Sequence, residues 1–401
     1  MAFREVYLDH AAAAPLDPRV FAAMRPFLED AHGNPSSFHT AGKRAKDAVD
    51  AARVSMAKIL GARPDEILFT AGGTEADNLA VLGYARANVE HGKHIVTTAV
   101  EHQAILESAN HLEKKEGFEV TYLAPDAFGR VTAEQVVAAL RPDTILVSVM
   151  YANNEIGTIE PVAEIGNAIW KWRTEHKRPQ LVFHTDACQA AGALDLDVNK
   201  LHVDLMTVNG SKIYGPKGVG ALYVRRGLKL RPIMFGGAQE RGIRPGTESV
   251  AGIVGLAKAL ELSQAERETE NARLTALRDA LIAGIKARVP KVRVNGHPTE
   301  RLPNNVNVSF MDVEGEALLL YLDAAGVYAS TGSACTSASL DPSHVILALG
   351  MPYEVAHGSL RFSLGRATTM DDVNYVLDVL PPLVEKLRSI SPVNVDEKYF
   401  A

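Results

Sequence analysis

The sequence predicts an α/β fold in which a largely parallel sheet, covered on both faces, is followed by a smaller α+β unit. Three observations lead there. Six short runs rich in Val, Ile, Leu or Thr lie between residues 66 and 224 and alternate with helix-like stretches. Their apolar character is continuous rather than alternating, as strands buried on both faces require. After about residue 258 the texture changes to a charged amphipathic segment followed by isolated strand-like pieces.

The runs are 66–70, 94–98, 144–151, 181–185, 203–208 and 219–224, and most end at polar residues or Gly. In the second part, segment 261–289 places Leu274, Leu277, Leu281, Ile282 and Ile285 at helical spacing. Strand-like pieces follow at 305–310 and 360–363. A last helical pattern over 371–387 is expected to be interrupted by Pro381 and Pro382.

Composition narrows the function. The 42 Lys and Arg against 48 Asp and Glu leave a net charge of −6, so no basic surplus exists to neutralise nucleic-acid phosphates. Cys188 and Cys335 are the two cysteines of the chain, too few for a disulfide framework or a Cys-rich metal site, and the 13 histidines offer no ligand set. The N-terminus has no apolar signal-peptide core and no stretch matches a membrane span, so a cytoplasmic protein is expected.

Ligands of open parallel sheets bind beyond the carboxyl ends of the strands, so the residues after each run are the candidates. After 66–70 come Gly72, Gly73 and Thr74, leading into a helix, which suits an anion or simply a capped turn. After 94–98 comes His102, and after 144–151 come Asn153, Asn154 and Glu155. Asp186 follows 181–185. A carboxylate there is costly unless it meets a cation, although a helix N-cap serves equally well. After 203–208 lies Asn209-Gly210-Ser211-Lys212, and Gly210 and Gly215 have P-loop spacing. Pro216 intervenes, however, and Gly218 replaces the magnesium-binding hydroxyl, so the P-loop reading fails. A Lys at a buried strand end can instead be deprotonated by desolvation and form a Schiff base.

The two cysteines differ in setting. Cys335 sits among small and hydroxylic residues, Ser330 to Ser339, the composition of an exposed loop with a reachable thiol. Cys188 lies at a strand–helix junction and is expected to be packed or to line a pocket. Arg361, in the 360–363 strand pattern, suits bidentate binding of a carboxylate or a surface ion pair.

Taken together, these residues resemble the cysteine desulfurases of the IscS/NifS type, within the class-V aminotransferases. The resemblance rests on Tyr7-Leu8-Asp9-His10, Thr70 to Asn78, Glu101-His102, Asn153 to Gly157, Thr185 to Gln189, Lys212 to Gly218, Arg244 to Glu248 and Ser330 to Ala338, in that order along nearly the whole chain. It implies a fold-type I enzyme dependent on pyridoxal 5′-phosphate, with a mostly parallel seven-stranded sheet in a large domain over 15–257. Residues 1–14 and 258–401 would form the smaller α+β domain, which carries a Cys335 loop over about 329–341.

The same resemblance implies roles. Lys212 would hold the cofactor and later move the substrate α-proton, Asp186 would pair with the pyridine nitrogen, His102 would stack on the ring, and Gln189 would bond its phenolic oxygen. Gly73, Thr74, Asn209 and Ser211 would cup the phosphate, joined by Thr247 of a second subunit in a homodimer. Asn154 would touch cofactor and substrate, and Arg361 the carboxylate of L-cysteine. The Cys335 thiolate would take the sulfur, leaving alanine and an enzyme persulfide. The persulfide would supply an iron–sulfur scaffold, a sulfur-carrier protein or tRNA thiolation, and no metal would be resident in the enzyme. The alternatives are a selenocysteine lyase or another aminotransferase-like reaction of the same cofactor, and a non-catalytic partner that keeps the fold. This chain departs from the family pattern at Ser211, where His is common, at Asn209, where Ser is usual, at Ala13-Ala14 in place of Thr-Thr, and at Cys188 in place of Thr. Its ending after Ile390 also lacks the family's usual scaffold-facing residues.

Overall fold

A computed structural model describes residues 4–332, 341–392 and 394–399 of the chain. Cys335 and the rest of 333–340 therefore lie outside the described residues. Among the described residues twelve strands run in order: β1 Val6–Tyr7, β2 Ile67–Thr70, β3 His94–Thr98, β4 Glu119–Leu123, β5 Thr144–Ser148, β6 Val182–Asp186, β7 Leu205–Asn209, β8 Gly220–Val224, β9 Val292–Val294, β10 Asn305–Phe310, β11 Val327–Tyr328 and β12 Ser359–Ser363.

The main sheet has seven strands in the order β2-β8-β7-β6-β5-β3-β4. Strands β4, β3, β5, β6 and β7 are mutually parallel, and β8 is antiparallel to both β7 and β2. The reversal at β8 has a simple cause. The connection from Asn209 to Gly220 carries only a 3₁₀ turn at Gly210–Lys212, and a parallel return needs a crossover of a dozen or more residues. Strand β2 still points the same way as β7, so its carboxyl end opens on the same edge of the sheet. The five residues of β3, β5, β6 and β8 are all buried, as the unbroken apolar runs predict.

Strand β4 was not expected. It lies at the sheet edge, partly exposed, and its sequence Glu-Val-Thr-Tyr-Leu alternates too weakly to stand out. The smaller unit consists of the antiparallel sheet β12-β10-β9 and the parallel pair β1-β11, so the N-terminal strand joins the C-terminal part of the chain.

Two corrections concern helices. The amphipathic segment expected from residue 261 is the second half of one helix, Val250–Arg288. Its first half is apolar on most sides because it is buried in the large core through Ile253, Leu256 and Leu260, whereas Leu277, Leu281 and Ile285 enter the core of the smaller unit. Each such side chain contributes about 1.5–3 kcal/mol on burial, so this helix ties the two cores together. The second correction is at Pro381 and Pro382, which do not interrupt the last helix, Met370–Ile390. Proline at 381 removes the N–H that the Leu377 carbonyl would accept. Arg288 Nη1 supplies it instead at 3.1 Å and also bonds the Asp378 carboxylate at 2.7 Å.

Candidate active site

The strand ends converge on a cavity of roughly 160 Å³. Gly73 and Thr74 arrive from the turn after β2, His102 from the turn after β3, Asn154 from the loop after β5, and Asp186 and Gln189 from β6 and its following turn. Asn209 and Lys212 come from β7 and its 3₁₀ turn, and Arg361 from β12 of the smaller unit. These nine line one space. Ser211, at the middle of the 3₁₀ turn, is not among the lining residues, and Thr247 is exposed on the surface of the same chain. A larger groove of roughly 920 Å³ runs past Phe38, Arg53 and Glu240. No residue from the carboxyl end of a parallel strand faces it, so size alone does not make it the site.

The floor of the cavity is set by Gly73, the first residue of a helix that follows Gly72. A Cβ on Gly73 would lie 2.8 Å from Cys188 Sγ and 3.4 Å from Asn209 Nδ2, so no larger residue fits without displacement. Backbone N–H groups at this helix start, the Thr74 hydroxyl and the Asn209 amide together make a donor set for an anion. On the other side, Lys212 Nζ donates to the Ala12 carbonyl at 2.6 Å and Gln189 Nε2 to the Ala11 carbonyl at 3.0 Å, so the N-terminal segment closes one wall. His102 caps the helix Gln103–Glu116, with Nδ1 accepting from Ala104 N–H at 3.1 Å. The neutral ring therefore carries its proton on Nε2.

Asp186 is 6% exposed, and its carboxylate accepts the Cys188 N–H at 2.8 Å. Burial and the Asp186 charge push the Cys188 thiol well above its ordinary pKa. Cys188 thus lines the pocket, as expected, but as a protonated thiol, which is a poor nucleophile.

Two buried acids belong to this region although sequence reasoning gave them no role. Asp77 lines the cavity and is 1% exposed, and its Oδ1 has no hydrogen-bond partner. Burial, and secondly Asp186, hold its carboxyl well above the usual range. His184 Nε2 lies 3.7 Å from it, but burial lowers that imidazole to about 4, so the contact is not an ion pair at neutral pH. The available signal was the helical spacing Gly73, Asp77, Ala80, an acid on an otherwise small and apolar face. Glu101 is fully buried, and its Oε1 accepts from Thr98 Oγ1 and Met150 N–H, both at 2.8 Å. That pins the turn holding His102 to the end of β5, and burial raises the carboxyl strongly.

Arg361 is 1% exposed, which excludes the surface ion pair considered for it. Its Nη2 bonds Asp9 Oδ1 at 2.8 Å and its Nη1 the Asn154 carbonyl at 2.9 Å, while Nε is buried with no partner. A guanidinium has five N–H donors, so this one keeps donors for a further acceptor. Among the described residues no group of His, Cys, Asp and Glu could hold a metal ion, and no helix is long and apolar enough to cross a membrane.

Comparison with known proteins places this geometry. The family model described as Aminotransferase class-V matches residues 6–376. The chain is 52% identical over 394 residues to a protein of Methanosarcina thermophila named cysteine desulfurase IscS, covering 98% of this chain and 95% of the relative. Among solved structures it is similar to a NifS-like protein, with a TM-score of 0.88 and 35% identity over 96% of this chain and all of the other. It is also similar to SspA in complex with cysteine, with a TM-score of 0.76 and 36% identity over 89% of this chain and 98% of the other.

Proposed function

The chain belongs to the class-V aminotransferase family, and on that premise we propose that it is a pyridoxal 5′-phosphate-dependent cysteine desulfurase. The observation that carries this reading is the convergence of Lys212, Asp186, His102 and Arg361 on one cavity that also holds an anion-binding helix start.

The residues present fit the cofactor. Asp186 is a buried carboxylate facing the cavity, which calls for a cationic partner such as a protonated ring nitrogen. Gly73 leaves no room for a side chain where a phosphate would approach backbone N–H groups. Gly73, Thr74, Asn209 and Ser211 would hold the phosphate, with Thr247 arriving from a second copy of the chain in a homodimer. The surface position of Thr247 suits such a contribution. Lys212 Nζ would tether the group, Gln189 would bond its phenolic oxygen, and His102 would lie against its ring. When bound, the cofactor supplies an electron sink that weakens the Cβ–S bond of a bound amino acid.

The chain's own groups do the rest. Arg361, held by Asp9 and Asn154, binds the carboxylate of L-cysteine with its remaining donors. Asn154, from the loop after β5, would touch both cofactor and substrate. Lys212 Nζ moves the α-proton. The Cys335 thiolate forms an S–S bond to the substrate sulfur as the C–S bond breaks, so L-cysteine and the enzyme thiol become L-alanine and an enzyme persulfide. Cys188 is unsuited to that role because its thiol stays protonated. The persulfide serves as sulfur donor to an iron–sulfur scaffold or a carrier toward tRNA thiolation, in the cytoplasm.

Incubation with isotopically labelled cysteine followed by peptide mass spectrometry tests this reading. The expected result is one added sulfur on Cys335 and alanine release, neither seen in C335A, and loss of the visible cofactor band in K212A. Sulfide release by C335A at the wild-type rate would remove Cys335 from the mechanism, and Cys335-independent turnover of selenocysteine alone would favour a lyase.

A further inference from the structure

Asp77 is a buried acid that the desulfurase chemistry leaves without a role. It stands one helical turn after Gly73, lines the cavity, is 1% exposed and leaves Oδ1 without a hydrogen-bond partner. A buried polar atom left unpaired is costly and calls for an explanation. The Thr207 hydroxyl bonds the same carboxyl. Thr207 Oγ1 also lies 3.1 Å from His184 Nε2, and His184 Nδ1 lies 2.9 Å from Ser148 Oγ. Ser148 is the register partner of His184, and Thr207 that of Asp186, so three neighbouring strands carry one polar row to the foot of the cavity. When the Thr207 proton points at Asp77, Thr207 accepts from His184 Nε2–H and Nδ1 accepts from Ser148, which satisfies every member of the row.

The row is embedded in hydrocarbon, for Ala76, Ala80, Leu146, Val182 and Leu205 form the core on this side of the sheet. Apolar side chains would fill such a space at least as well, because a buried polar chain seldom adds stability over good packing. The titratable groups around Asp77 are Asp186 and His184 from β6, Cys188 from the turn after it, Glu101 and His102 from the turn after β3, and Lys212 from the 3₁₀ turn. Of these, Lys212 brings a positive charge, and its Nζ donates to the Ala12 carbonyl. Burial and the Asp186 charge keep the proton on Asp77. A cationic ring nitrogen beside Asp186 would cancel that repulsion and oppose the cost of burial.

We propose that Asp77 is a positioning residue for the cofactor's ring nitrogen: acting through Asp186, it adds a second negative charge once a cationic ring occupies the cavity, and the two carboxylates together hold the ring in its protonated form. The proton leaves Asp77 for the ring nitrogen when the ring enters uncharged, and for water when it enters already protonated, so charge balances in both cases. The Thr207 hydroxyl favours the ionised carboxylate. A ring kept protonated is the stronger electron sink. This inference deepens the desulfurase reading above and rests on it.

Equilibrium dialysis against two ligands tests it: pyridoxal phosphate, and its deaza analogue, which carries C–H in place of the ring nitrogen. D77N, equal in size to the un-ionised acid, should weaken pyridoxal phosphate roughly tenfold or more, because a neighbouring charge moves a proton affinity by about one to three pH units. The same variant should bind the deaza analogue within about twofold of wild type, the scatter expected of independent groups. A loss of equal size for both ligands marks a packing role and overturns the proposal, as does unchanged binding of pyridoxal phosphate. If D77N does not fold, D77A against the same two ligands decides. Wild-type enzyme that takes up no pyridoxal phosphate sinks the reading beneath, whereas wild-type uptake matched by the Asp77 variant sinks only the role of Asp77.

Discussion

Substituting Gly73 by Ala probes the floor of the cofactor site with a single methyl group. The added carbon would stand 2.8 Å from Cys188 Sγ, against an ordinary contact of about 3.5–4.0 Å. Its next neighbour, Asn209 Nδ2 at 3.4 Å, needs little adjustment. Overpacking of this kind costs about 1–3 kcal/mol. If the sulfur is the obstacle, C188A should relieve it, at its own cost of about 1 kcal/mol for the deleted atom. In the C188A background G73A should then cost close to nothing, a coupling of about 1–2 kcal/mol in a double-mutant cycle. Urea unfolding of the four proteins, each saturated with pyridoxal phosphate, gives the stability cycle. Absorbance titration of the cofactor gives the same cycle for binding. Additive effects within 0.3 kcal/mol, about the ordinary scatter of independent sites, would show that the Gly73 contact with Cys188 does not shape the cup.

Other expectations follow from single contacts. R361K should lower kcat/KM for cysteine roughly tenfold to hundredfold with the cofactor band intact, because a point charge replaces a planar donor held by Asp9 and Asn154; steady-state kinetics would show it. Burial raises Glu160 to about 8 and lowers His184 to about 4. From about pH 6.5 to 8 the unfolded chain has already lost the Glu160 proton that the folded chain keeps, so this group makes stability fall by up to about 1.4 kcal/mol per pH unit. Between about pH 4.5 and 6.5 the unfolded chain protonates His184 while the folded chain does not, and the two slopes oppose. Denaturant titrations should show that E160Q makes the slope of stability against pH more positive, by up to about 1.4 kcal/mol per pH unit, throughout the window from about pH 4.5 to 8. R288A should cost about 1 kcal/mol by leaving the Leu377 carbonyl unpaired, and less in P381A, which restores a backbone donor; thermal melts of the two backgrounds would separate these values.

Much of the molecule was legible because its signals are local. Strand β3 coincides with its run, as a segment covered on both faces allows little polarity, and β10 with the alternating piece Asn-Val-Asn-Val-Ser-Phe. The turns after them could be read for chemistry because parallel sheets present ligands at one edge only. Strand β4 was hidden by its edge position, and the start of the Val250–Arg288 helix by burial on most sides, which erases periodicity. Pro381 misled because the compensating donor, Arg288, comes from another helix. Asp77 and Glu101 carried no role in the sequence reading because their surroundings are assembled from β3, β5 and β6, far apart along the chain.

By itself, then, the order of residues determined the class of fold, the edge at which chemistry occurs and most of the groups that meet there, because each depends on a short stretch and its immediate turn. Only the folded arrangement decided that Arg361 is buried and still holds donors in reserve, and that Cys188 is sealed as a neutral thiol. Those properties depend on desolvation and on which distant groups come within a few ångströms. Neither quantity exists until the chain has closed around them.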